Sequence, residues 1–313
     1  MISAVVPAYN EEESLEDFYS VLAPNLAKLD KDYEIVFVDD GSKDKTLEIL
    51  KKFASKNNHV RIFSFRRNRG KAEALTWGFK AAKGDYIVTL DADLQDRPEE
   101  IGKLLKKSKE GFDLVSGWRK NRKDSKVLIN FPSKLFNFLA GFFWGLKLKD
   151  YNCGLKVYTR QAAKSLNLYG GMQRFIPLLL FQEGFKVTEV DVRHEKRKFG
   201  KSKYGFTKSF KEFPDMFSML FLTKYAKRPL HFFGMVGAFV SAVGVLILLY
   251  LSVLHFQGQT IGNRPLLTFG ILFVLAGFQI LFTGLLADLI LHISEKNNQQ
   301  VDIAEEIFKY KTE

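Results

Sequence analysis

Two long apolar stretches, residues 230–256 and 266–292, dominate the end of this 313-residue chain. Each is long enough to cross a bilayer as a helix, which takes about 20 mostly apolar residues. The chain therefore divides into a domain over 1–228, a two-helix membrane hairpin over 229–293 and a polar tail over 294–313. Lys224, Lys227 and Arg228 precede the first span, whereas the short connection around 257–265 carries only Arg264. Basic residues collect on the cytoplasmic side, so the first domain and the tail are expected in the cytoplasm. A water-soluble domain tied to a hairpin of this kind pairs one soluble substrate with one that lives in lipid.

The formal net charge is +12, concentrated at 66–71, 119–126, 193–203 and 224–228. Such clusters suit anionic partners, either phosphate compounds or lipid headgroups. No DNA- or RNA-binding signature accompanies them, and nucleic acid is not expected as a partner. Cys153 is the only cysteine, which excludes a disulfide within the chain and agrees with a reducing compartment. The apolar run 2–7 has no basic leader before it, so no removable signal peptide is expected.

Strand patterns at 2–7, 34–38, 60–65, 86–90 and 113–117 alternate with helical patterns at 13–29, 45–55 and 71–82, and a further strand reads at 187–192. The near-continuous apolar strands predict an α/β domain with a parallel sheet covered on both faces. Ligands of such sheets bind beyond the carboxyl ends of the strands. Segments 131–148 and 206–225 are rich in phenylalanine, with lysines beside them. They read as amphipathic helices in the membrane interface, the alternative being ordinary core helices.

Polar motifs stand where the strands end. Pro7-Ala8-Tyr9-Asn10-Glu11 offers a ring to stack on a base and a carboxylate for a ribose or ring edge. Asp39-Asp40-Gly41-Ser42 offers two carboxylates before a turn; a turn with a helix N-cap is the alternative. Asp91-Ala92-Asp93-Leu94-Gln95 places carboxylates two apart, with an amide oxygen two further on. Hard oxygen ligands of this type suit Mg2+ or Mn2+ bound together with substrate phosphates. His194 reads as structural and Trp77 as a helix packing residue.

Taken in order with Arg67-Asn68-Arg69-Gly70-Lys71, these motifs resemble the signature series of family 2 glycosyltransferases. The segment Asp150-Tyr151-Asn152-Cys153-Gly154-Leu155-Lys156-Val157-Tyr158 resembles the acceptor-side motif of the polyprenyl-phosphate group, which includes dolichol-phosphate mannose synthases and bactoprenol glucosyltransferases. Gly200-Lys201-Ser202-Lys203-Tyr204 is similar to that group's basic motif, and the hairpin resembles its bacterial branch. The resemblance covers about 1–228 and implies a GT-A (Rossmann-like) fold, a nucleotide-sugar donor, a divalent metal, a polyprenyl phosphate acceptor such as undecaprenyl or dolichyl phosphate, and a bacterial inner-membrane location.

By the same resemblance, Pro7, Ala8, Tyr9, Glu11, Asp39, Asp40, Lys71, Asp91 and Ala92 are donor-nucleotide positions, and Asp91, Asp93 and Gln95 are metal positions. Arg119 matches an arginine that holds phosphate, and with Arg122, Lys126, Lys156, Lys201 and Lys203 it supplies acceptor-side charge. Lys156 departs from the family, which often has arginine there. Asp150, grouped with Asp93 and Arg119 as catalytic, is either a base or the residue that orients the sugar or a basic partner.

The expected reaction is an inverting transfer with UDP-glucose or GDP-mannose as donor, giving a polyprenyl-monophosphate sugar and a nucleoside diphosphate. The competing readings are a processive polysaccharide synthase, a transferase to another glycan or protein, and a non-catalytic membrane adaptor. No tryptophan here stands in the Gln-x-x-Arg-Trp motif of the synthases, and the intact carboxylates argue against an adaptor. The reading allows a homo-oligomer without requiring one.

Overall fold

The computed structural model describes residues 1–120, 141, 145–195, 225, 228–262 and 264–298. Both expected interfacial helices fall outside this set apart from positions 141, 145–148 and 225, and Arg122, Lys126, Lys201 and Lys203 also lie outside it. The chain forms two compact units, Met1–Met219 and Leu220–Glu313.

The first unit is built on a seven-stranded sheet. Its strands are β1 (Ile2–Ala8), β2 (Tyr33–Asp39), β3 (Val60–Ser64), β4 (Tyr86–Thr89), β5 (Leu114–Arg119), β6 (Lys156–Thr159) and β7 (Val187–Val192), in the spatial order β3-β2-β1-β4-β6-β5-β7. β1 runs parallel to β2 and β4, and β2 runs parallel to β3. The expected parallel sheet is corrected at this point. β6, unread as a strand in the sequence, lies antiparallel between β4 and β5, so the sheet is mixed. β5 and β7 are again parallel.

This reversal has a consequence for the site. Because β6 points the other way, its first residue, Lys156, stands beside Thr89 at the carboxyl end of β4. One edge of the sheet thus gathers the ends of β1, β2, β4, β5 and β7 together with the segment that leads into β6.

Every residue of β2 is buried, because helices cover both faces of the sheet. Successive strand residues point to opposite faces, and Val6, Ile35, Phe37 and Val157 pack with Phe18, Leu22 and Leu104 of α1 (Leu15–Leu29) and α4 (Ile101–Ser108). α2 (Thr46–Lys56) adds Leu50 to that side. Val5, Val36 and Tyr158 face the other way, toward α3 (Lys71–Ala81), α5 (Arg160–Ser165) and α6 (Ile176–Gln182). Trp77 of α3 departs from the packing role expected of it: it is 49% exposed.

The second unit contains α7 (Pro229–Phe256) and α8 (Pro265–Asn298), of which 28 and 29 residues respectively are apolar enough to cross a membrane. At 1.5 Å per residue each spans about 42 Å, more than the roughly 30 Å hydrocarbon layer. The two helices pack through glycines. A Cβ on Gly277 would lie 2.6 Å from the Gly237 carbonyl oxygen, and one on Gly244 would lie 2.8 Å from the Gly270 carbonyl oxygen. Small residues let two backbones approach in lipid, where no hydrophobic force drives helices together. Phe239, Leu246, Phe278 and Ile290 remain exposed around the pair.

Gly277→Ala should destabilise the hairpin by about 1–3 kcal/mol through overpacking. Gly234→Ala, whose Cβ would meet nothing closer than 3.8 Å, should not. Thermal melts of the two variants in detergent check the difference.

Candidate active site

The loops at the carboxyl edge are joined by polar side chains that accept backbone amides. Asn10 and Ser42 tie the loop after β1 to the loop after β2: the Asn10 amide donates to Ser42 Oγ (3.0 Å) and the Lys43 amide to Asn10 Oδ1 (2.9 Å). Glu12 repeats the pattern, accepting from the Lys45 amide at 3.0 Å. Pro7 and Ala8 end β1 beneath this junction, and half-buried Tyr9 and Glu11 stand on it.

Asp39 accepts from the Ser42 amide (3.1 Å) and from Ser64 Oγ (2.7 Å). Asp40, expected at the nucleotide, also anchors the neighbouring loop. It is buried, and its two oxygens accept the amides of Arg69 (2.7 Å) and Gly70 (2.9 Å). Burial raises its pKa despite these bonds. Asp40 thereby sets the start of α3, where Lys71 reaches across to pair with Asp91. Gly41 is required at this junction: it has φ +70°, and a Cβ would lie 2.5 Å from the Arg67 carbonyl carbon.

Asp91 and Asp93 follow directly on β4. Asp93 is buried and accepts the Gln95 amide at 3.1 Å. Leu94, between them, is held at φ +59°, a conformation unfavourable for a non-glycine residue and typical of segments that the surroundings over-determine. Among the described residues no three His, Cys, Asp or Glu side chains are grouped to hold a metal ion. The oxygen donors present fit a divalent ion of the Mg2+ type, which takes one or two carboxylates and completes its shell with substrate phosphates.

Asp96 went unnoticed in the sequence, although it extends the Asp91–Asp93 spacing by three. It is buried, accepts the Leu155 amide (3.0 Å) and lies 3.5 Å from His194 Nδ1. Burial raises its pKa, but His194 and the charges of Arg119 and Lys71 outweigh that and hold it below the usual carboxylate range. The 95–96 segment is also bridged to 194–195, where the Glu195 amide donates to the Gln95 carbonyl at 3.0 Å. His194, expected to be structural, is buried against Asp96. Gly154 closes the arrangement, since a Cβ there would lie 2.8 Å from Asp96 Oδ2 and 2.9 Å from Asp91 Oδ2.

In the segment expected to face the acceptor, Arg119 and Asp150 engage each other. Nε donates to Oδ2 (2.7 Å) and a terminal nitrogen to Oδ1 (3.0 Å), with both side chains nearly buried. Burial opposes the guanidinium charge, but the carboxylate more than compensates and raises the Arg119 pKa. Glu189 supports this pair by accepting the amides of Lys149 (2.8 Å) and Asp150 (3.3 Å). Lys156 is 4% exposed, and its ammonium donates to the Cys153 carbonyl. It lines a small cavity with Lys71, Asp91, Asn152, Tyr158 and Gln173. Cys153 is buried with a raised pKa, caused first by burial, and is no nucleophile.

Asp150→Asn leaves a buried guanidinium facing a neutral amide and should cost about 3–5 kcal/mol. The double variant Arg119→Met/Asp150→Leu should recover most of that in chemical denaturation. The depressed pKa of Asp96 contributes stability that is fully present above its unfolded value of about 3.9 and is lost as pH falls through the lower folded value. Asp96→Asn should therefore lower stability at pH 7 and flatten the acid limb of a melting-temperature profile.

The family model for "Glycosyl transferase family 2" matches residues 3–166. The chain is 38% identical over 294 residues to a dodecaprenyl-phosphate galacturonate synthase of Rhizobium johnstonii, covering 92% of this chain and 87% of that protein. It is 37% identical over 296 residues to an undecaprenyl-phosphate 4-deoxy-4-formamido-L-arabinose transferase of Shewanella sediminis, covering 92% and 86%. Among solved structures, glucosyl-3-phosphoglycerate synthase from Mycobacterium tuberculosis, in complex with Mn2+, UDP-glucose and phosphoglyceric acid, shares the fold. It has a TM-score of 0.55 and 23% identity over 70% of this chain and 79% of that one. The mixed-sheet α/β unit is thus GT-A-like, and the chain belongs to glycosyl transferase family 2, within its polyprenyl-phosphate glycosyltransferases.

Proposed function

We propose that this enzyme moves a sugar from a nucleotide-sugar donor to the phosphate of a membrane polyprenyl phosphate, inverting the anomeric centre and releasing a nucleoside diphosphate. The observation that carries this reading is the approach of two motifs: Gly154 of the acceptor-side segment lies against Asp91, at the carboxyl end of β4. The relatives' names support a polyprenyl phosphate acceptor. They also point to galacturonate or formamido-arabinose in preference to the glucose and mannose expected on family frequency.

A phosphate monoester has a second pKa of about 6, so the acceptor is largely dianionic near neutral pH and needs little general-base help. The main barrier is repulsion between that dianion and the donor diphosphate, which oriented positive charge must offset. A divalent ion held by Asp91 and Asp93, with Gln95 adjacent, would neutralise the leaving diphosphate. On the donor side, the loops bearing Pro7, Ala8, Tyr9, Glu11 and Asp39 form the nucleotide cradle. Lys71 is poised on Asp91 to meet phosphate oxygens.

Arg119 has its charge compensated by Asp150, so the pair sets the acceptor-side segment and Asp150 orients a basic partner. A carboxylate clamped by guanidinium is a poor base. The acceptor phosphate then falls to Arg122, Lys126, Lys201 and Lys203. With basic residues before α7 and few in the connection between the spans, the catalytic unit and the C-terminal tail lie in the cytoplasm of a bacterial cell.

Detergent-purified protein given polyprenyl phosphate, Mn2+ or Mg2+ and labelled nucleotide sugars should yield a labelled lipid. Chelator should abolish it, and Asp93→Ala should reduce it by at least about 100-fold. Donor hydrolysis without lipid product would reject the lipid acceptor.

A further inference from the structure

The cavity beside Asp91 is chemically incomplete. Lys156 opens β6 between Thr89 of β4 and Ser116 of β5, so its ammonium is enclosed by the sheet. Its hydrogen bond among the described residues goes to the Cys153 carbonyl. Two residues on, Tyr158 occupies the same face, as the two-residue strand period requires. Its hydroxyl is fully buried, with the Thr89 hydroxyl beside it, and among the described residues it makes no well-formed hydrogen bond. Buried polar groups of this kind are almost always satisfied by a partner.

The charges are unequal as well. The cavity is lined by two ammonium groups, Lys71 and Lys156, and one carboxylate, Asp91, which Lys71 already engages. The nearby carboxylates are committed elsewhere: Asp150 to Arg119, and Asp96 to the Leu155 amide. Burial lowers the Lys156 pKa, and an anion in the cavity would restore its charge.

We propose that this cavity receives an acidic substituent of the donor sugar, with Lys156 and Tyr158 donating to a carboxylate, so that the preferred donor is a nucleotide-linked uronic acid. The proposal rests on the reading that this crevice binds the donor, and it makes Lys156 and Tyr158 specificity-determining residues. A hydroxymethyl group in the same place would leave the ammonium uncompensated. Lysine suits this narrow site because its compact point charge needs one approach direction, where a guanidinium fork needs a broad planar one.

The test is equilibrium binding to the full chain in detergent with Mn2+. The ligands are matched nucleotide sugars that differ only in carboxylate against hydroxymethyl, in uridine and guanosine series. The acidic member should bind about tenfold tighter or more, as a charge-assisted contact predicts. Lys156→Met should bring the ratio close to one and Tyr158→Phe should reduce it, while binding of the sugarless nucleoside diphosphate reports folding. Equal affinities in the native chain, or discrimination that survives both substitutions, would overturn the proposal.

Transfer to polyprenyl phosphate, measured alongside, separates the two claims. Equal transfer of neutral sugars overturns the acidic subsite and leaves the transferase standing. Acid-selective binding without lipid product does the reverse. No binding of any donor by folded protein overturns both.

Discussion

Side-chain oxygens accepting backbone amides hold the catalytic edge of this protein together. Six strands end at this edge and one begins there, in loops that have no ladder of their own, and the loop amides need partners. Asn10, Asp39, Asp40, Asp96 and Glu189 supply them, each tying a loop to its neighbour or closing a turn. Charge-assisted hydrogen bonds of the carboxylates are stronger than neutral ones, and those at Asp40 and Asp96 are shielded from water. Everything else at the edge, from the placement of Lys71 to the approach of Gly154 to Asp91, is positioned by these anchors.

Charge is sorted by the same framework. The loops after β1, β2 and β4 present carboxylates, whereas basic residues crowd the acceptor-side sequence. Between the two regions, the Arg119–Asp150 pair is neutral overall and nearly buried, and acts as a strut between β5 and the segment entering β6. Lys156 stands apart, a buried ammonium bonded to a backbone carbonyl. The antiparallel strand β6 is what brings it to the cavity beside Asp91, and an all-parallel sheet would have left its start at the opposite edge.

The motifs were legible because each follows an apolar run, and an apolar run ending in carboxylates marks a strand terminus opening on a crevice. Asp91, Asp93 and the Asp39–Asp40 pair were found in this way. Their division of labour was not legible: Asp40 and Asp39 are adjacent and alike, yet Asp40 turns both oxygens to amides of another loop. Asp96 and the strand β6 are illegible for a related reason, since their partners are about 40 residues away or more. Trp77 lies in a helix, and its residue type does not say whether anything covers its face.

The sequence by itself determined the strand-and-helix alternation, the two apolar spans and the ordered motif series, because hydrophobic period, segment length and residue chemistry are local properties of the chain. Only the tertiary structure decided the direction of β6, the pairing of Arg119 with Asp150, the use of Asp40 and Asp96 as loop anchors, and the enclosure of Lys156 and Tyr158 around one cavity. These depend on which distant segments meet and which way each side chain points. Both follow from packing the whole sheet and cannot be read from any single segment.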